Sequence, residues 1–468
     1  MIDFDTLLAA VVTDNSGLEV RNPSTGELVG YAPRAESVNL DDVIAEAARA
    51  QLEWAALGHA ERSRILHRAA DSVEESAEAL ARIITIEQGK PLNGGARIEA
   101  SGSPAYLRGA ADIELDEEVL SEQGTARTSI SYAPIGVVAA IGPWNWPVMI
   151  STWQIASALR MGNSVVLKPA KYTPLSVRAL VYLLNQELPA GVLTVVPSER
   201  EIGAQLSAHP SIGKVMFTGS TATGRRIVAA SANNLARLTL ELGGNDPAIV
   251  LADADIPLVA EQLFWSGFLN VGQTCGAVKR VYVHADVHDE LCEALVSYIG
   301  NMPMGDGLDE TMILGPVNNA DQWAIIDGLV EDAKSRGARI LLGGDPQRDA
   351  PGYFYPATIV TDIDKDAPLV VEEQFGPALP IVRFTDIEEA IYEANRLDVG
   401  LGASVWSKDI EKANAIARRV EAATVGVNNA PIPNPLVPFG GMKGSGYGVE
   451  FGVEGLKAVS IPRVIVTA

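Results

Sequence analysis

The sequence predicts an α/β fold with two doubly wound, parallel-sheet domains, each sheet covered by helices on both faces. Short β-branched runs alternate with helical segments along most of the 468 residues. The alternation falls into two blocks that meet near Gly243–Gly244. Hydrophobic residues make up 47% of the chain and charged residues 20%, which is typical of a protein with a large packed core.

The N-terminal segments predict helices ahead of the first sheet. Asn39 is a suitable N-cap for "DDVIAEAARAQLEWAA", whose apolar residues recur near helical spacing. A second helical stretch is expected from Ala60 to Glu87, because the glycines and proline of "QGKPLNGG" would end it there.

The two blocks of strands and helices follow in order. The first contains "IGVVAAIGP", "PVMISTWQIASALRMG", "NSVVLKPA", "SIGKVMFTGS" and "RLTLELGG". The second contains "DPAIVLAD", "AVKRVYVHA", "HDELCEALVSYIG", "ALPIVRFT" and "GLGASVWS". We therefore predict one domain from residues 1–119 and 133–244, and another from residues 245–443.

Charge and cysteine content exclude several classes of protein. A formal net charge of −23 repels nucleic acid and anionic membranes. Two cysteines form no disulfide framework and favour a reducing compartment. Asp3 and Asp5 stand where a secretory signal would be basic, and no window has the ~20 apolar residues of a membrane span. A cytoplasmic protein is expected.

Two loops after predicted strands carry polar side chains at the sheet edge where parallel sheets bind ligands. Asn145 in "IGPWNWP" is either an ordinary turn residue or an amide that donates to an oxyanion. Lys168 in "VVLKPAKYTP" is either solvated or bound to ribose hydroxyls. Neither loop alone distinguishes a structural role from a functional one.

Two further segments lie near the end of the first block. In "FTGSTATGRRI", Gly219, Ser220 and Gly224 occupy a strand-to-helix turn, where glycines let a pyrophosphate approach the helix N-terminus. A simple tight turn would also fit. Glu241 in "LELGGNDPAIV" lies in an apolar run, either in a structural ion pair or as a general base with a raised pKa.

Cys275 in "GQTCGAVKR" is either a small core residue or a reactive thiol. Cys292 lies on an apolar stripe of the helical "DELCEALVSYIG" and is expected in the core. His284 and His288 are four residues apart, but they follow a strand and lack a third ligand, so no metal site is predicted.

Together, these segments resemble the NAD(P)-dependent aldehyde dehydrogenases. The resemblance is carried, in chain order, by "IGPWNWP", "VVLKPAKYTP", "FTGSTATGRRI", "LELGGNDPAIV", "GQTCGA", "EEQFGP" and "PFGGMKGSGYGVE". It implies a Rossmann-like cofactor domain, a catalytic domain and a small β oligomerisation element formed by residues 120–132 and the tail 444–468. It also implies a homodimer or a homotetramer.

The resemblance implies a role for each catalytic candidate. Cys275 would attack an aldehyde as the nucleophile, giving a thiohemiacetal and then a thioester. Asn145 and the backbone N–H of Cys275 would hold the oxyanion. Glu241 would activate the water that releases the carboxylic acid, and it would help to deprotonate the thiol. Gly272 and Gly276 would leave room for substrate and cofactor.

Cofactor contacts are implied at matching positions. Lys168 corresponds to a lysine on the adenosine ribose, and Ser220 to a serine at the pyrophosphate. Glu373 corresponds to a glutamate on the nicotinamide ribose, Phe375 to a ring beside the nicotinamide, and Trp144 to a contact near the adenine. Glu450 resembles a second glutamate near the water path, although a surface ion pair is an alternative.

Two positions depart from the family pattern. Many members that prefer NAD have a glutamate three residues after the ribose lysine, and this chain has Lys171. An ammonium attracts a 2′-phosphate, so NADP is expected to be tolerated or preferred. Gln154 replaces a lysine that is frequent in the family, which removes one route for a proton relay.

The predicted substrate-lining residues contain no arginine or lysine, which favours an uncharged aliphatic or aromatic aldehyde over a semialdehyde with a carboxylate. They are Ile150, Trp153, Trp265 and Leu269, with the loop "NAPIPNPLVPFGG". Two alternatives remain at this point: a CoA-acylating aldehyde dehydrogenase, and a non-catalytic structural or binding protein with the same fold. Glu241 disfavours the former, and the intact catalytic set disfavours the latter.

Overall fold

The structure is a computed structural model that describes residues 2–349 and 351–468. Its helices are α1 (Phe4–Ala9), α2 (Leu40–Ala56), α3 (Gly58–Glu75), α4 (Ala77–Gln88), α5 (Arg97–Asp112), α6 (Pro147–Arg160), α7 (Pro174–Leu184), α8 (Arg200–Ala208), α9 (Thr221–Ser231), α10 (Ile256–Phe268), α11 (His288–Ile299), α12 (Ala320–Ser335), α13 (Pro368–Val371), α14 (Ile387–Asn395), α15 (Ile410–Ala417) and α16 (Gly452–Ala458).

The strands are β1 (Leu18–Arg21), β2 (Leu28–Ala32), β3 (Glu118–Gln123), β4 (Ala126–Pro134), β5 (Val137–Ile141), β6 (Ser164–Lys168), β7 (Leu193–Val195), β8 (Ile212–Thr218), β9 (Arg237–Glu241), β10 (Asp246–Val250), β11 (Val278–His284), β12 (Arg339–Leu342), β13 (Thr358–Thr361), β14 (Ala378–Phe384), β15 (Val399–Gly400), β16 (Gly402–Trp406), β17 (Thr424–Val427), β18 (Met442–Lys443), β19 (Gly446–Tyr447) and β20 (Ser460–Thr467).

The first sheet has six strands in the order β19-β9-β8-β5-β6-β7, and all neighbours are parallel except the short β19. Both faces of its central strand β5 are buried. Val138 and Ala140 contribute to one hydrophobic core, whereas Val137 and Ala139 contribute to a second core on the opposite face. This two-sided burial is the doubly wound arrangement that the apolar strand "VVAAI" predicts.

The second sheet has seven strands in the order β12-β13-β14-β11-β10-β16-β17, with β12 the antiparallel edge strand. Ala248 and Val250 of β10 face one core, and Ile249 of the same strand faces another. The predicted α/β class with two parallel sheets is therefore confirmed.

A third sheet joins β20, β4 and β3 in antiparallel order. It contains the segment 120–132 and the C-terminal strand, which the family resemblance assigned to an oligomerisation element. The tail also contributes elsewhere, because β19 pairs with β9 at the edge of the first sheet. The division into domains stays a prediction.

The N-terminal helices match the sequence except at one residue. Asn39 caps α2 as expected, since its side chain accepts a hydrogen bond from the N–H of Asp41 at 3.1 Å. The helical stretch expected from roughly Ala60 to Glu87 is present as α3 and α4. It is divided at Ser76, whose φ of −113° and ψ of 15° are not helical. Ser76 there accepts a hydrogen bond from the N–H of Ile2 at 3.0 Å. Gly89 ends α4 with a φ of +98°, as the glycine-rich stop predicts.

Within the described part of the chain, none of the helices combines the length and the apolar character that a bilayer crossing requires.

Candidate active site

One cleft of about 530 Å³ brings most of the predicted catalytic and cofactor residues together. Its lining includes Trp144, Asn145, Lys168, Lys171, Gly219, Ser220, Glu241, Cys275, Glu373 and Phe375. Gly224 lies beneath the cleft, where a Cβ atom would approach Leu242 to 2.8 Å, so its role is close packing of α9 on the sheet.

The cleft joins opposite ends of the two sheets. Asn145 follows β5, and Lys168 and Glu241 are the last residues of β6 and β9, so all three lie at carboxyl ends of parallel strands. Cys275 and Glu373 instead precede β11 and β14, at the amino ends of strands in the second sheet. Each sheet supplies part of the site.

The segment before Cys275 has an unusual backbone. Asn270, Val271 and Gly272 have φ values of 53°, 57° and 72°, in the left-handed region. That region is costly for a β-branched residue such as Val271, and such strain persists where surrounding contacts hold it. Gln273 provides one of these contacts, because its side-chain amide donates to the carbonyl of Asn270 at 3.1 Å.

Gly272 and Gly276 have different reasons to be glycine. At Gly272, a Cβ atom would lie 2.4 Å from the carbonyl oxygen of Gly376, and φ is positive. Backbone conformation and a close backbone approach therefore require this glycine, rather than room for substrate as the sequence suggested. At Gly276, the nearest atom to a built Cβ is a carboxylate oxygen of Asp246 at 3.8 Å, so space does remain there.

The side chain of Asn145 is held in a defined orientation. Its Nδ2 donates to the carbonyl of Gln273 at 2.9 Å. An amide nitrogen carries two hydrogens, so the second remains available to a group bound in the cleft. The neighbouring Trp146 donates from Nε1 to the hydroxyl of Thr274 at 2.9 Å. Asn270, in the segment before Cys275, also donates from Nδ2 to the carbonyl of Asn145 at 2.9 Å. Three hydrogen bonds thus join the Asn145 loop to the segment of the nucleophile.

A buried ion pair supports the Asn145 loop from below, and the sequence analysis did not identify it. Lys90 and Glu99 are fully buried, with Nζ and Oε2 2.5 Å apart. Lys90 also donates to the carbonyl of Asn145 at 3.0 Å, and Glu99 accepts the backbone N–H groups of Val148 and Met149. Lys90 lies in "QGKPLNGG", a segment that the sequence analysis used only for its helix-ending glycines and proline.

Burial dominates the electrostatics of Cys275. The pKa of the thiol is raised to about 12, chiefly by burial. Lys279 opposes this rise, and the nearby carboxylates of Glu241, Asp246 and Glu373 add to it. The resting thiol is therefore protonated near neutral pH, and attack on a carbonyl requires a base.

Glu241 and Glu450 form a pair of buried carboxyl groups. Burial, followed by the charge of Glu450, raises the pKa of Glu241 well above its usual value. Burial raises the pKa of Glu450 to about 8, and Lys214 opposes that rise. Within the described residues, none of the four carboxyl oxygens has a hydrogen-bond partner. The alternative of a surface ion pair at Glu450 is wrong, because the side chain is buried.

Gln154 is also buried in this region. Its Nε2 donates to the hydroxyl of Thr218, at the end of β8, at 3.3 Å. Thr218 is paired with Glu241 across neighbouring strands, so Gln154 lies beside the carboxyl pair without carrying a charge.

Basic side chains and a helix N-terminus gather at one end of the cleft. The hydroxyl of Ser220 caps α9 by accepting the N–H of Thr223 at 3.3 Å. Burial lowers the pKa of Lys168 to about 8, an effect that nearby glutamates oppose. Arg200 and Arg226 also line the cleft. The sequence analysis did not single them out, although Arg226 lies within "FTGSTATGRRI".

Glu373 lies at the other end of the cleft, near Cys275. Its Oε1 is 3.2 Å from Nζ of Lys279 and accepts the N–H of Gly244 at 3.3 Å. Burial raises the pKa of Glu373, and Lys279 opposes the rise. Phe375 packs edge-on against Trp144, with ring centroids 5.4 Å apart. These two rings form an aromatic wall of the cleft.

The predicted substrate-lining residues lie outside the lining of this cleft. Ile150 and Trp153 are buried in an aromatic cluster with Tyr106, Trp146 and Phe451, against which Leu269 packs. Trp265 is 36% exposed on α10 and contacts Phe264 instead. The structure therefore groups three of the four predicted residues and separates Trp265 from them.

The two histidines of the rejected metal motif have local partners. His288 is buried, and its Nε2 lies 2.9 Å from the hydroxyl of Thr361 and 3.8 Å from the sulfur of Cys292. His284 contacts the ring of Phe384. Across residues 2–349 and 351–468, no group of three or more His, Cys, Asp or Glu side chains is placed to hold a metal ion.

The two parallel sheets thus enclose one cleft that holds the predicted catalytic and cofactor residues. A profile of the aldehyde dehydrogenase family matches residues 11–465. The chain is 38% identical over 445 residues to geranial dehydrogenase of Castellaniella defragrans, covering 94% of this chain and 93% of the relative. It is 36% identical over 453 residues to the NADP-dependent succinate-semialdehyde dehydrogenase of Escherichia coli, covering 94% and 93%.

Solved structures also match this chain over most of its length. The crystal structure of PnpE in complex with nicotinamide adenine dinucleotide has a TM-score of 0.94 and 34% identity, covering 98% of this chain and 95% of that one. The chain belongs to the aldehyde dehydrogenase family. The prediction of an NAD(P)-dependent aldehyde dehydrogenase is thereby confirmed at the level of the family, while the roles of individual residues stay proposals.

Proposed function

We propose that this chain oxidises an uncharged aldehyde to its carboxylic acid, with Cys275 as nucleophile, Asn145 as oxyanion donor and Glu241 as general base. One observation carries the proposal. Cys275, Asn145 and Glu241 line the same cleft as the basic residues and the helix N-terminus suited to a dinucleotide.

The acylation step uses the held orientation of Asn145. Glu241 accepts the thiol proton as the sulfur of Cys275 attacks the aldehyde carbon. The free Nδ2 hydrogen of Asn145 and the backbone N–H of Cys275 then stabilise the oxyanion of the thiohemiacetal. A bound cofactor would accept the hydride, leaving a thioester on Cys275, and Glu241 releases the thiol proton to solvent before it acts on water.

Hydrolysis of the thioester needs an ionised base that accepts a proton from the attacking water and then returns it to the leaving sulfur. Burial raises the pKa of Glu241, which makes its carboxylate a stronger base than an exposed one. Glu241 accepts a proton from water as the oxygen attacks the thioester, and the acid leaves with the thiol restored. The neighbouring Glu450 and Gln154 form the buried polar surroundings of that base.

The cleft fits a dinucleotide at its basic end. The N-terminus of α9 favours a diphosphate, and Lys168 is placed for the adenosine ribose at the carboxyl end of β6. Glu373 and Phe375 would hold the nicotinamide ribose and the ring near Cys275. We propose that Lys171, with Arg200 and Arg226, accommodates a 2′-phosphate, so that NADP is used at least as well as NAD.

Replacing Lys171 with glutamate tests this preference. A carboxylate would repel the 2′-phosphate, so kcat/KM with NADP⁺ should fall relative to NAD⁺ by at least about tenfold, or ~1.4 kcal/mol. Steady-state kinetics with both cofactors measure the ratio. The control is Lys408→Glu, an exposed lysine outside the cleft with the same charge change. An unchanged ratio in Lys171→Glu would contradict the role of Lys171.

The proposed substrate class follows from the apolar surroundings of the nucleophile loop. Trp146 joins Thr274 to the aromatic cluster that contains Ile150 and Trp153, and Leu269 packs against this cluster. The loop before "PFGG" adds exposed Ile432, Leu436 and Val437. Apolar and aromatic side chains favour a hydrophobic aldehyde.

A panel of aldehydes tests the proposed function. Absorbance of NAD(P)H should rise with aliphatic and aromatic aldehydes, and kcat/KM for these should exceed that for succinic semialdehyde by about tenfold or more, the scale of one unmatched polar contact. Cys275→Ser should abolish the rise, because an alcohol is a far weaker nucleophile. The matched control is Cys292→Ser, whose thiol packs in the core of the second sheet.

Two outcomes of the panel would overturn the proposal. Turnover by Cys275→Ser comparable to the unmodified enzyme would exclude the thioester route. A strong preference for succinic semialdehyde would exclude the neutral substrate class.

The carboxyl pair predicts a shift in pH dependence. Charge on Glu450 raises the pKa of Glu241, so Glu450→Gln should lower that pKa and move the acid limb of acid release to lower pH. The pH profile of kcat under conditions where hydrolysis limits turnover measures the shift. Glu454→Gln, at an exposed glutamate on α16, should leave the profile in place. A shift to higher pH in Glu450→Gln would contradict the pairing.

We propose a homodimer or homotetramer joined through the third sheet. Its outer strands expose apolar side chains, at Val119 and Leu120 on β3 and at Val464, Ile465 and Val466 on β20. Exposed apolar edge strands favour pairing with another sheet.

A further inference from the structure

Lys279 is a buried lysine immediately behind the nucleophile. Its side chain is 2% exposed, although lysine is seldom buried without a partner. Nζ donates to the carbonyl of Cys275 at 2.6 Å and to the carbonyl of Thr274 at 2.8 Å. The same nitrogen lies 3.2 Å from Oε1 of Glu373. One ammonium group thus contacts the nucleophile loop and a carboxylate of the cleft at once.

The contact with Thr274 acts on the peptide group that carries the N–H of Cys275. In a trans peptide, the carbonyl and the N–H point in opposite directions. A cation on the carbonyl of Thr274 therefore turns the N–H of Cys275 away from Lys279. It also polarises the peptide, which makes that N–H a stronger hydrogen-bond donor. This N–H is the backbone donor assigned above to the oxyanion.

Lys279 also contacts the carboxylate of Glu373 at Oε1, and the other oxygen, Oε2, is confined by the backbone. A Cβ atom at Gly243 would lie 2.2 Å from Oε2 of Glu373, so the carboxylate is pressed against the backbone there. Lys279 and the N–H of Gly244 bind Oε1. These contacts hold Glu373 next to the nucleophile loop, where the ribose of the cofactor would lie.

We propose that Lys279 is a positioning residue that orients the oxyanion-binding N–H of Cys275 and the cofactor-binding carboxylate of Glu373 through a single ammonium group. The inference rests on the proposed function, since it assigns the device that sets the geometry of that site. It makes Lys279 the link between nucleophile and cofactor.

The charges around Cys275 define the expected effect of removing Lys279. Glu241, Asp246 and Glu373 all raise the pKa of the thiol, and Lys279 is the largest influence that lowers it. Asp246 is itself buried. Its pKa is raised to about 7, chiefly by burial, and the charge of Lys279 opposes that rise. Without the ammonium, the thiol faces three acidic groups and no cation that offsets them among these neighbours.

The test replaces Lys279 with methionine, which keeps a linear side chain, and with glutamine, which keeps a neutral donor. Alkylation of the free enzyme by iodoacetamide is followed across pH by peptide mass spectrometry, with Cys292 as internal reference. We expect the alkylation rate of Cys275 at pH 8 to fall at least about threefold in Lys279→Met, with the profile moved to higher pH. We also expect KM for NAD(P)⁺ to rise and kcat to fall, with Lys279→Gln intermediate.

The control is Lys365→Met, which removes a half-exposed lysine paired with Glu389 and Glu393. It should leave the Cys275 profile and both kinetic constants unchanged. A structural role alone would lower the active fraction of Lys279→Met without moving the alkylation profile, and that result overturns the proposal. An unchanged profile in Lys279→Gln overturns it as well.

The outcome for Cys275→Ser separates this inference from the proposed function. If that variant turns over aldehyde, the proposed function fails. If it is inactive while the Lys279 variants behave like the unmodified enzyme, the proposed function stands and only the inference about Lys279 fails.

Discussion

The hydrogen bonds between the Asn145 loop and the nucleophile loop are the constraint on which the rest of the site depends. Asn145 binds the carbonyl of Gln273, and Trp146 binds the hydroxyl of Thr274. Each such bond adds only about 1 kcal/mol to stability, so their main effect is geometric. They join a loop that follows a strand of the first sheet to one that precedes a strand of the second. Neither sheet alone contains the complete set of proposed catalytic groups.

Burial determines the pKa values of the groups in the site, and it makes their charged forms costly. It raises the pKa of both Cys275 and Glu241, so ionising either group costs free energy near neutral pH. Buried lysines compensate at separate points. Lys90 supports the Asn145 loop, Lys214 opposes the raised pKa of Glu450, and Lys279 lies behind the nucleophile. Desolvation thus makes the base strong, while fixed ammonium groups hold the surrounding polar groups in place.

The sequence predicted the fold class, the family and the residues that carry motifs, because strand periodicity and short loops are local properties. It placed Asn145 and Lys168 at carboxyl ends of strands, as the structure has them. The rule that ligands bind at carboxyl ends gave no reason to place Cys275 and Glu373 at the amino ends of a second sheet. That arrangement depends on how the two sheets pack.

The residues that the sequence analysis missed act through contacts distant in the chain. Lys90 contacts Asn145 across 55 residues of sequence and Glu99 contacts Val148 across 49. Lys279 and Glu373, which form an ion pair, are ninety-four residues apart. No pattern of neighbouring residues in the sequence predicts such pairs. The expected role of Gly272 was also misassigned, because a positive φ and the approach of Gly376 are visible only in the folded chain.

The proposed reaction requires that a thioester form on Cys275 and that Glu241 direct water to it. The most direct measurement is intact-protein and peptide mass spectrometry of Glu241→Gln, mixed with an aldehyde and NAD(P)⁺. We expect NAD(P)H to form more slowly than in the unmodified enzyme, because the thiol also loses its base, and to stop close to one equivalent per active site with an acyl group retained on Cys275. Steady turnover without an adduct, or an adduct on another residue, would contradict it.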